Sequence, residues 1–222
     1  GRAGENAFVN IATGNLIVQN RDEFLTAVGV DAAVARTYNS LGTFTDENGD
    51  NWRQSNHKNV SGLTGTLNTA NSTVTRTEWD GSSAVFTYDT TLGVYVNKDG
   101  AGAYDTIVGT TSTWTWKDGN SRVSESYDRT ASGRITSSTD VDGNVTSYTY
   151  TGAVMTKITT HNSITGQDNF TTLVYSASNV NGGKNLLRVE TSYYDTVSGT
   201  NKVLTRTRYS YDSSHRMTKV QV

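Results

Sequence analysis

Acidic and amide side chains are the residues of this 222-residue chain whose spacing could do chemistry. Residues 46–50, DENGD, place oxygen ligands at positions 1, 3 and 5, as a calcium-binding loop does, but position 12 is His57 rather than a glutamate. Residues 140–144, DVDGN, repeat the spacing and also suit a tight turn. A solvated turn is the interpretation we favour at both places, with calcium as the alternative. The candidate ligands are Asp46, Asn48, Asp50, Asp140, Asp142 and Asn144.

The patterns expected of an enzyme are weak. His57, His161 and His215 are isolated from one another, without an HExxH motif or a cysteine, which favours solvated or packing histidines over a zinc site. Glu78 and Asp80 flank a tryptophan as a glycosidase pair could, but side chains two apart on a strand lie about 7 Å apart. No GxSxG or GK[ST] motif occurs, although a dispersed Ser-His-Asp triad stays open. We predict no catalytic and no cofactor-binding residues.

Aromatic residues alternate with polar ones in several segments. Trp114 and Trp116 share one face of a predicted strand, and Thr113 and Thr115 share the other. Tyrosines alternate in the same way at residues 148–150 and 209–211. The rings either pack a sheet core or, if exposed, stack on sugar rings; we favour the core and keep glycan stacking on Trp114 and Trp116 as the alternative.

Composition excludes several classes of partner. The formal net charge is −2 and no run of lysines or arginines occurs, so nucleic acid is not expected. No apolar stretch approaches the roughly 18 residues of a membrane span. The chain has no cysteine, which excludes disulfides and thiolate metal sites, and no proline. The 12 tyrosines and 4 tryptophans with only 18% charged residues favour polar-faced β-structure over disorder.

Turn signals divide the chain into short strands. Asp-Gly pairs at residues 80–81, 99–100, 118–119 and 142–143 predict hairpins, because both residues tolerate positive φ. Tyr-Asp pairs recur, and an aspartate after a strand can accept backbone N–H groups and start the turn, with the tyrosine ring in the core. These pairs are Tyr88-Asp89, Tyr104-Asp105, Tyr127-Asp128, Tyr194-Asp195 and Tyr211-Asp212.

Together these motifs resemble the repeats of the RHS/YD-repeat family. The residues that carry the resemblance are Tyr127, Asp128, Gly133, Arg134, Asp142, Gly143, Asn144, Tyr148 and Tyr150. A second match includes Tyr211 and Asp212, with His215 where the family prefers glycine, and residues 12–16 and 36–40 resemble the region that precedes such repeats. The alanine-rich residues 22–36 suit a helix or a strand–turn–strand, and the resemblance favours the second.

The resemblance implies an all-β fold of antiparallel β-hairpin repeats in an extended, spiralling sheet or shell. We predict an N-terminal RHS-like region at residues 1–110 and YD-type repeats at residues 111–222. The expected function is a non-catalytic structural module of a secreted or cell-surface bacterial protein, without a cofactor, whose partners are further repeats. One alternative is a self-assembling filament or sheath subunit, since the last repeat stops at Val222 before its second strand is complete. Another is a carbohydrate-binding surface.

Overall fold

The computed structural model describes residues 6–25, 32–42, 50–98, 100–162, 165–177 and 183–222. These residues form β-strands and a short 3-10 helix at Gly100–Gly102. The all-β, antiparallel character predicted from the sequence is confirmed. The strands are β1 (Asn6–Asn10), β2 (Asn15–Leu25), β3 (Ala32–Asn39), β4 (Trp52–Gln54), β5 (Asn59–Thr64), β6 (Thr73–Thr77), β7 (Ser83–Asp89), β8 (Val94–Val96), β9 (Thr106–Gly109), β10 (Thr113–Lys117), β11 (Ser124–Asp128), β12 (Arg134–Thr139), β13 (Val145–Thr151), β14 (Val154–Asn162), β15 (Gln167–Tyr175), β16 (Leu186–Asp195), β17 (Thr200–Tyr211) and β18 (Met217–Gln221).

The chain divides into two compact units. Residues 56–147 form one, here called the barrel unit, and residues 1–55 with 148–222 form the other, here called the split unit. This division differs from the boundary predicted between residues 110 and 111, which falls in the turn between β9 and β10 of the barrel unit. The predicted boundary followed the repeat motifs. In the structure, β9 pairs with β10 and β5 pairs with β12, so strands on both sides of residue 110 belong to one barrel.

The barrel unit is a closed, eight-stranded, up-and-down barrel. Each strand from β5 to β12 pairs antiparallel with its neighbours in sequence, and β12 also pairs with β5. Closure rests on backbone hydrogen bonds: the Val60 amide donates to the Gly133 carbonyl at 2.9 Å, and the Ile135 amide donates to the Lys58 carbonyl at 3.3 Å. A closed ring leaves no sheet edge, so every one of these strands has a neighbour on both sides.

The period-two pattern of the barrel strands sends apolar side chains inward. Along β10, Trp114 and Trp116 are buried while Thr113 and Thr115 are exposed, as their alternation predicts. Tyr95 packs edge-on against Trp114, with ring centroids 5.7 Å apart. The barrel interior also contains the buried residues Val60, Val74, Phe86, Ile107, Tyr127 and Ile135.

The split unit has two sheets. One has the strand order β1-β2-β3-β4, and strands from β14 to β18 follow one another in the second. Strands β2 and β3 pack against β14, β16 and β17, and this contact buries Val34, Ile158 and Val189. Within the segment at residues 22–36, the described parts belong to β2 and β3, so the strand interpretation is confirmed there, and residues 26–31 lie outside the described residues.

Aspartate and asparagine start the turns, as predicted for the Tyr-Asp pairs. Asp89 accepts the amides of Thr91 and Leu92 at 2.8 and 3.1 Å, and the Gly93 amide returns to the Asp89 carbonyl at 2.8 Å. The same five-residue turn recurs at residues 10–14 and 195–199. Asp128 and Asp212 cap their turns similarly. The side-chain caps satisfy amides that would otherwise lack partners at the ends of the strands.

Two expectations about these turns are corrected. At residues 80–81 and 142–143 the hairpin forms, but only the glycine has positive φ, because the loop has three residues rather than two. At residues 118–119 the left-handed residue is Arg122, at φ 65°. Asp105 lies between the 3-10 helix and β9, and its Tyr104 ring is 85% exposed rather than in the core.

Gly133 meets a second constraint besides its positive φ of 71°. A Cβ atom there would lie 1.8 Å from the Val60 carbonyl oxygen, at the seam where β12 meets β5. Gly93 has the same φ of 71° but open space around its Cα. The two glycines therefore separate the cost of backbone conformation from the cost of obstructing barrel closure.

We predict that Gly133→Ala destabilises the protein more than Gly93→Ala. In both variants, alanine in the left-handed region lowers the free energy of unfolding by about 1–2 kcal/mol. Gly133→Ala must also displace the β5 backbone, which adds about 1–3 kcal/mol of overpacking. Urea unfolding of both variants measures the difference, and equal losses would contradict the assigned seam.

Candidate functional site

A cluster of polar side chains lies inside the barrel among the apolar ones. Arg76 follows Val74 at the inward positions of β6, and Glu125 and Tyr127 occupy the inward positions of β11. The Arg76 guanidinium donates to the Glu125 carboxylate at 2.7 Å, to the Tyr127 hydroxyl at 3.1 Å and to Glu78. Its centre lies 3.7 Å from the centroid of the Trp116 ring. These contacts hold the guanidinium in one position.

Glu125 is the acidic centre of this barrel cluster. Its second carboxylate oxygen accepts the Lys58 ammonium at 2.7 Å, and Tyr127 donates its hydroxyl to Glu125 as well. Burial alone would raise the pKa of Glu125, but the charges of Lys58 and Arg76 outweigh burial and lower it. Burial and the Glu125 charge raise the pKa of the Tyr127 hydroxyl well above its ordinary value. At neutral pH Glu125 is therefore ionised and the Tyr127 phenol is neutral.

The split unit contains a cluster of the same kind. Arg36 makes a bidentate ion pair with Asp22, in which Nη2 donates to Oδ1 at 2.8 Å. Tyr209 donates its hydroxyl to Asp22 at 2.6 Å. The Arg36 guanidinium lies 4.7 Å from the centroid of the Trp52 ring. Burial opposes the charge of Arg36, but the hydrogen bond and charge of Asp22 raise its pKa. Burial, followed by the Asp22 charge, raises the pKa of Tyr209.

Each unit thus buries an arginine that is paired with a carboxylate, contacts a tryptophan and shares its carboxylate with a tyrosine. A neighbouring acid in the split unit, Glu23, accepts the hydroxyls of Thr205 and Thr207, the second at 2.5 Å. The hydrogen bonds described for the two arrangements each join residues of one unit. Such a closed set of ion pairs holds strands in register.

An open cavity of about 900 Å³ lies at one mouth of the barrel. The turns β6–β7, β8–β9 and β10–β11 surround it, since these turns all lie at the same end of an up-and-down barrel. Arg76 and Trp116 line it together with polar side chains of the turns. The barrel cluster therefore lies directly beneath a space large enough for a small molecule.

The histidines and the calcium candidates do not converge. Among the described residues, no group of three or more His, Asp or Glu side chains is placed to hold a metal ion. Asp140 accepts the amides of Asp142 and Asn144 at 3.0 and 2.9 Å and the Asn144 side-chain amide at 2.9 Å, so it acts as a turn cap. The Asn144 side chain is the first cause of the lowered pKa of Asp140.

The other calcium candidate is only partly described. Asp50 accepts the Trp52 amide at 3.1 Å, and Asp46 and Asn48 lie outside the described residues. His161 pairs with Asp168 at the surface, 2.7 Å apart, and His215 lies 3.3 Å from the Asn185 amide. Calcium binding at either loop stays a prediction.

The tryptophans proposed for glycan stacking face the barrel interior. Trp114 is 1% and Trp116 is 6% exposed, so these rings pack in the core and do not form an exposed surface platform. Trp116 still reaches the cavity, and its indole N–H donates to Asp105 at 3.2 Å. A sugar could contact it only inside the mouth of the barrel.

The repeat-motif residues have mainly mechanical positions. Gly133 and Arg134 lie at the barrel seam, and Gly143 completes the turn that Asp140 begins. His215, which replaces the glycine of the family pattern, adopts φ 62°, so the structure uses it in the glycine conformation. Tyr148, Tyr150 and the Tyr211 ring are half-buried in the split unit, and the Tyr211 hydroxyl donates to the Leu186 carbonyl at 2.9 Å.

Sequence reasoning missed the burial of Arg36 and Arg76. The available signal was the alternation of side chains along a strand. Arg76 lies two residues after Val74 in β6, and Glu125 lies two residues before Tyr127 in β11, so each charged residue shares the inward face with an apolar or aromatic one. A charged residue at an inward position predicts a buried partner, because an unpaired buried charge is too costly. Which acid pairs with which arginine depends on the order of the strands around the barrel.

No protein-family model matches the chain, and no curated protein matches it. No helix within the described residues is long and apolar enough to cross a membrane. The geometry of the two units is therefore the basis for the functional proposal.

We predict that Glu125→Gln lowers the free energy of unfolding by about 3–5 kcal/mol at neutral pH, because Arg76 and Lys58 lose their shared counter-charge. The folded-state pKa of Glu125 is lowered, so its stabilisation is present above the unfolded pKa of about 4.3 and is lost as pH falls through the folded pKa. The gap between variant and wild type should therefore narrow in acid. Urea unfolding across this pH range measures it.

A surface pair provides the control for this prediction. Asp168 is 41% exposed beside His161, so Asp168→Asn should change stability by less than about 1 kcal/mol. If the two variants lose equal stability, Glu125 is not the centre of a buried network.

We predict that Tyr127 and Tyr209 ionise later than ordinary tyrosines in an alkaline titration followed by tyrosinate absorbance. Their stabilisation is present below the ordinary tyrosine pKa of about 10 and is lost as pH rises towards the raised folded-state pKa. Tyr127→Phe and Tyr209→Phe should each remove part of the late step. A late step of unchanged size in both variants would contradict the assignment.

Proposed function

We propose that the chain is a non-catalytic structural module of a secreted or cell-surface bacterial YD-repeat protein, part of a shell or fibre. The observation that carries this proposal is the closed set of ion pairs in each unit. Buried arginines that contact carboxylates, tyrosines and tryptophans hold strands together within each unit, which is a structural role. The reused Asp-capped hairpin turn supports the resemblance to YD repeats.

The proposed arrangement of the larger protein is a spiral of hairpins. Within the split unit, strands β14 to β18 follow one another by antiparallel pairing, as a hairpin ribbon would. Further repeats of the same kind would extend such a ribbon without a change of topology. The closed barrel is a local departure from that arrangement.

Intact mass and electron microscopy of the native material test this function. We expect this chain within shell-like or fibrous particles far larger than its own 24.0 kDa. A free monomer with turnover of a substrate would contradict the proposal.

A self-assembling filament subunit is the second candidate, and the edge strand β1 favours it. Its five residues are all exposed, and Phe8 and Val9 are 54% and 63% exposed. Within the described residues β1 pairs only with β2, so its other side presents unpaired backbone groups. An exposed apolar edge of this kind pairs readily with another strand.

We predict that the filament hypothesis yields long polymers in negative-stain images of concentrated protein, and that Val9→Lys shortens or abolishes them. The matched control is Val108→Lys, at a 45% exposed valine on β9, which is paired on both sides in the barrel. Monodisperse wild-type monomers would contradict self-assembly through β1.

A further inference from the structure

We propose that the cavity at the mouth of the barrel binds a small organic cation, an amine-bearing ligand. The binding role is separate from the structural function above and does not depend on it. The proposal rests on three features of the barrel unit: the size of the cavity, the neutrality of its floor and two aspartates on its wall.

The cavity has the dimensions of a small-molecule site. Its volume of about 900 Å³ lies within the range of ligand pockets. Closed barrels of eight strands are wide enough to hold one small ligand at an open end. The barrel interior beneath this end is filled by Trp114, Tyr95 and Ile107, so the cavity is a cup that is closed towards the interior and not a channel through the barrel.

The floor of the cup is the Arg76 cluster, from which Arg76 and Glu78 reach the cavity, and its formal charges sum to zero. Two cations, Arg76 and Lys58, face two carboxylates, Glu125 and Glu78. The Arg76 guanidinium already donates to both acids and to Tyr127, and its face covers Trp116. This arginine is therefore not positioned to capture an anionic ligand.

Two aspartates on the wall add negative charge. Among the described residues, neither Asp105 nor Asp118 has a cationic side chain within 4 Å. The hydrogen bond from the Ser121 amide is the largest cause that lowers the pKa of Asp118. The Asn120 amide and the charge of Arg76 lower it further and burial opposes them, so Asp118 stays ionised. Asp105 accepts the Trp116 indole N–H and the Gly119 amide at 3.0 Å, which fixes its carboxylate at the wall.

The resulting chemistry selects a cation. The floor contributes no net charge and the wall contributes two fixed carboxylates, so an ammonium group is attracted and a phosphate or carboxylate is repelled. Each carboxylate keeps acceptor capacity beyond its hydrogen bonds to the protein, which an ammonium or hydroxyl donor can use. Trp116 supplies an aromatic wall beside them.

Calorimetric titration of the purified protein tests the proposal with three probes: spermidine, the trisaccharide of glucosamine, and the N-acetylated form of that trisaccharide. We expect at least one of the two amine probes to bind, the glucosamine trisaccharide more tightly than its N-acetylated form, and added salt to weaken binding. The Trp116 indole N–H signal should shift in NMR spectra on binding, because it donates to Asp105.

Both Asp118→Asn and Asp105→Asn remove the charge. Asp118→Asn keeps the one oxygen that accepts the Asn120 and Ser121 amides, whereas Asp105→Asn keeps an acceptor for only one of its two donors, the Gly119 amide and the Trp116 indole N–H. Each should weaken binding about tenfold, the loss of one charge-assisted hydrogen bond. Asp89→Asn is the matched control: Asp89 caps two amides as Asp118 does, but at the other end of the barrel. Thermal unfolding of all three variants checks that they are folded.

The outcomes are distinguishable. Loss of binding in the two cavity variants with retention in Asp89→Asn supports the site. No binding of either amine probe, equal binding of the acetylated trisaccharide, or an equal loss in Asp89→Asn would each overturn it.

Discussion

Burial of one paired arginine in each unit is the interaction on which the surrounding strands depend. A guanidinium in the interior is tolerated only when a carboxylate neutralises it and other groups satisfy its remaining donors. Arg76 meets this condition through Glu125, Tyr127 and Trp116, whose strands must then keep their positions around the barrel. Arg36 imposes the same condition on β2, β4 and β17 through Asp22, Trp52 and Tyr209. Displacing any of these strands would leave a buried charge without its partner.

Closure of the barrel depends on a glycine at the seam as well as on the paired charges of the interior. The seam between β5 and β12 requires the Gly133 backbone to approach Val60 more closely than any side chain would allow. Closure removes the sheet edges of this unit. The turns at one end surround a polar cup above the Arg76 cluster. Arg76 and Trp116 therefore both stabilise the barrel and line the proposed binding cavity.

Much of the local structure could be predicted because it depends on neighbours in sequence. Alternation along β10 and β17 indicated which side chains are buried, and the aspartates after tyrosines indicated where turns begin. The length of the Asp-Gly loops was not predictable from the dipeptide, since the hydrogen bond across Glu78 and Ser82 decides it. The burial of Trp116 was favoured correctly, but its place at the cavity wall depends on turns from three hairpins.

The sequence by itself determined the β character, the inward faces of the strands and the Asp-capped turns, because these depend on period-two alternation and on side chains that bond to nearby amides. The tertiary structure alone decided that β12 returns to β5 and that Arg76 meets Glu125. It also decided that Asp105 and Asp118 face one cavity. These contacts join residues distant in sequence, and the order of strands around a closed ring, not any local pattern, brings them together.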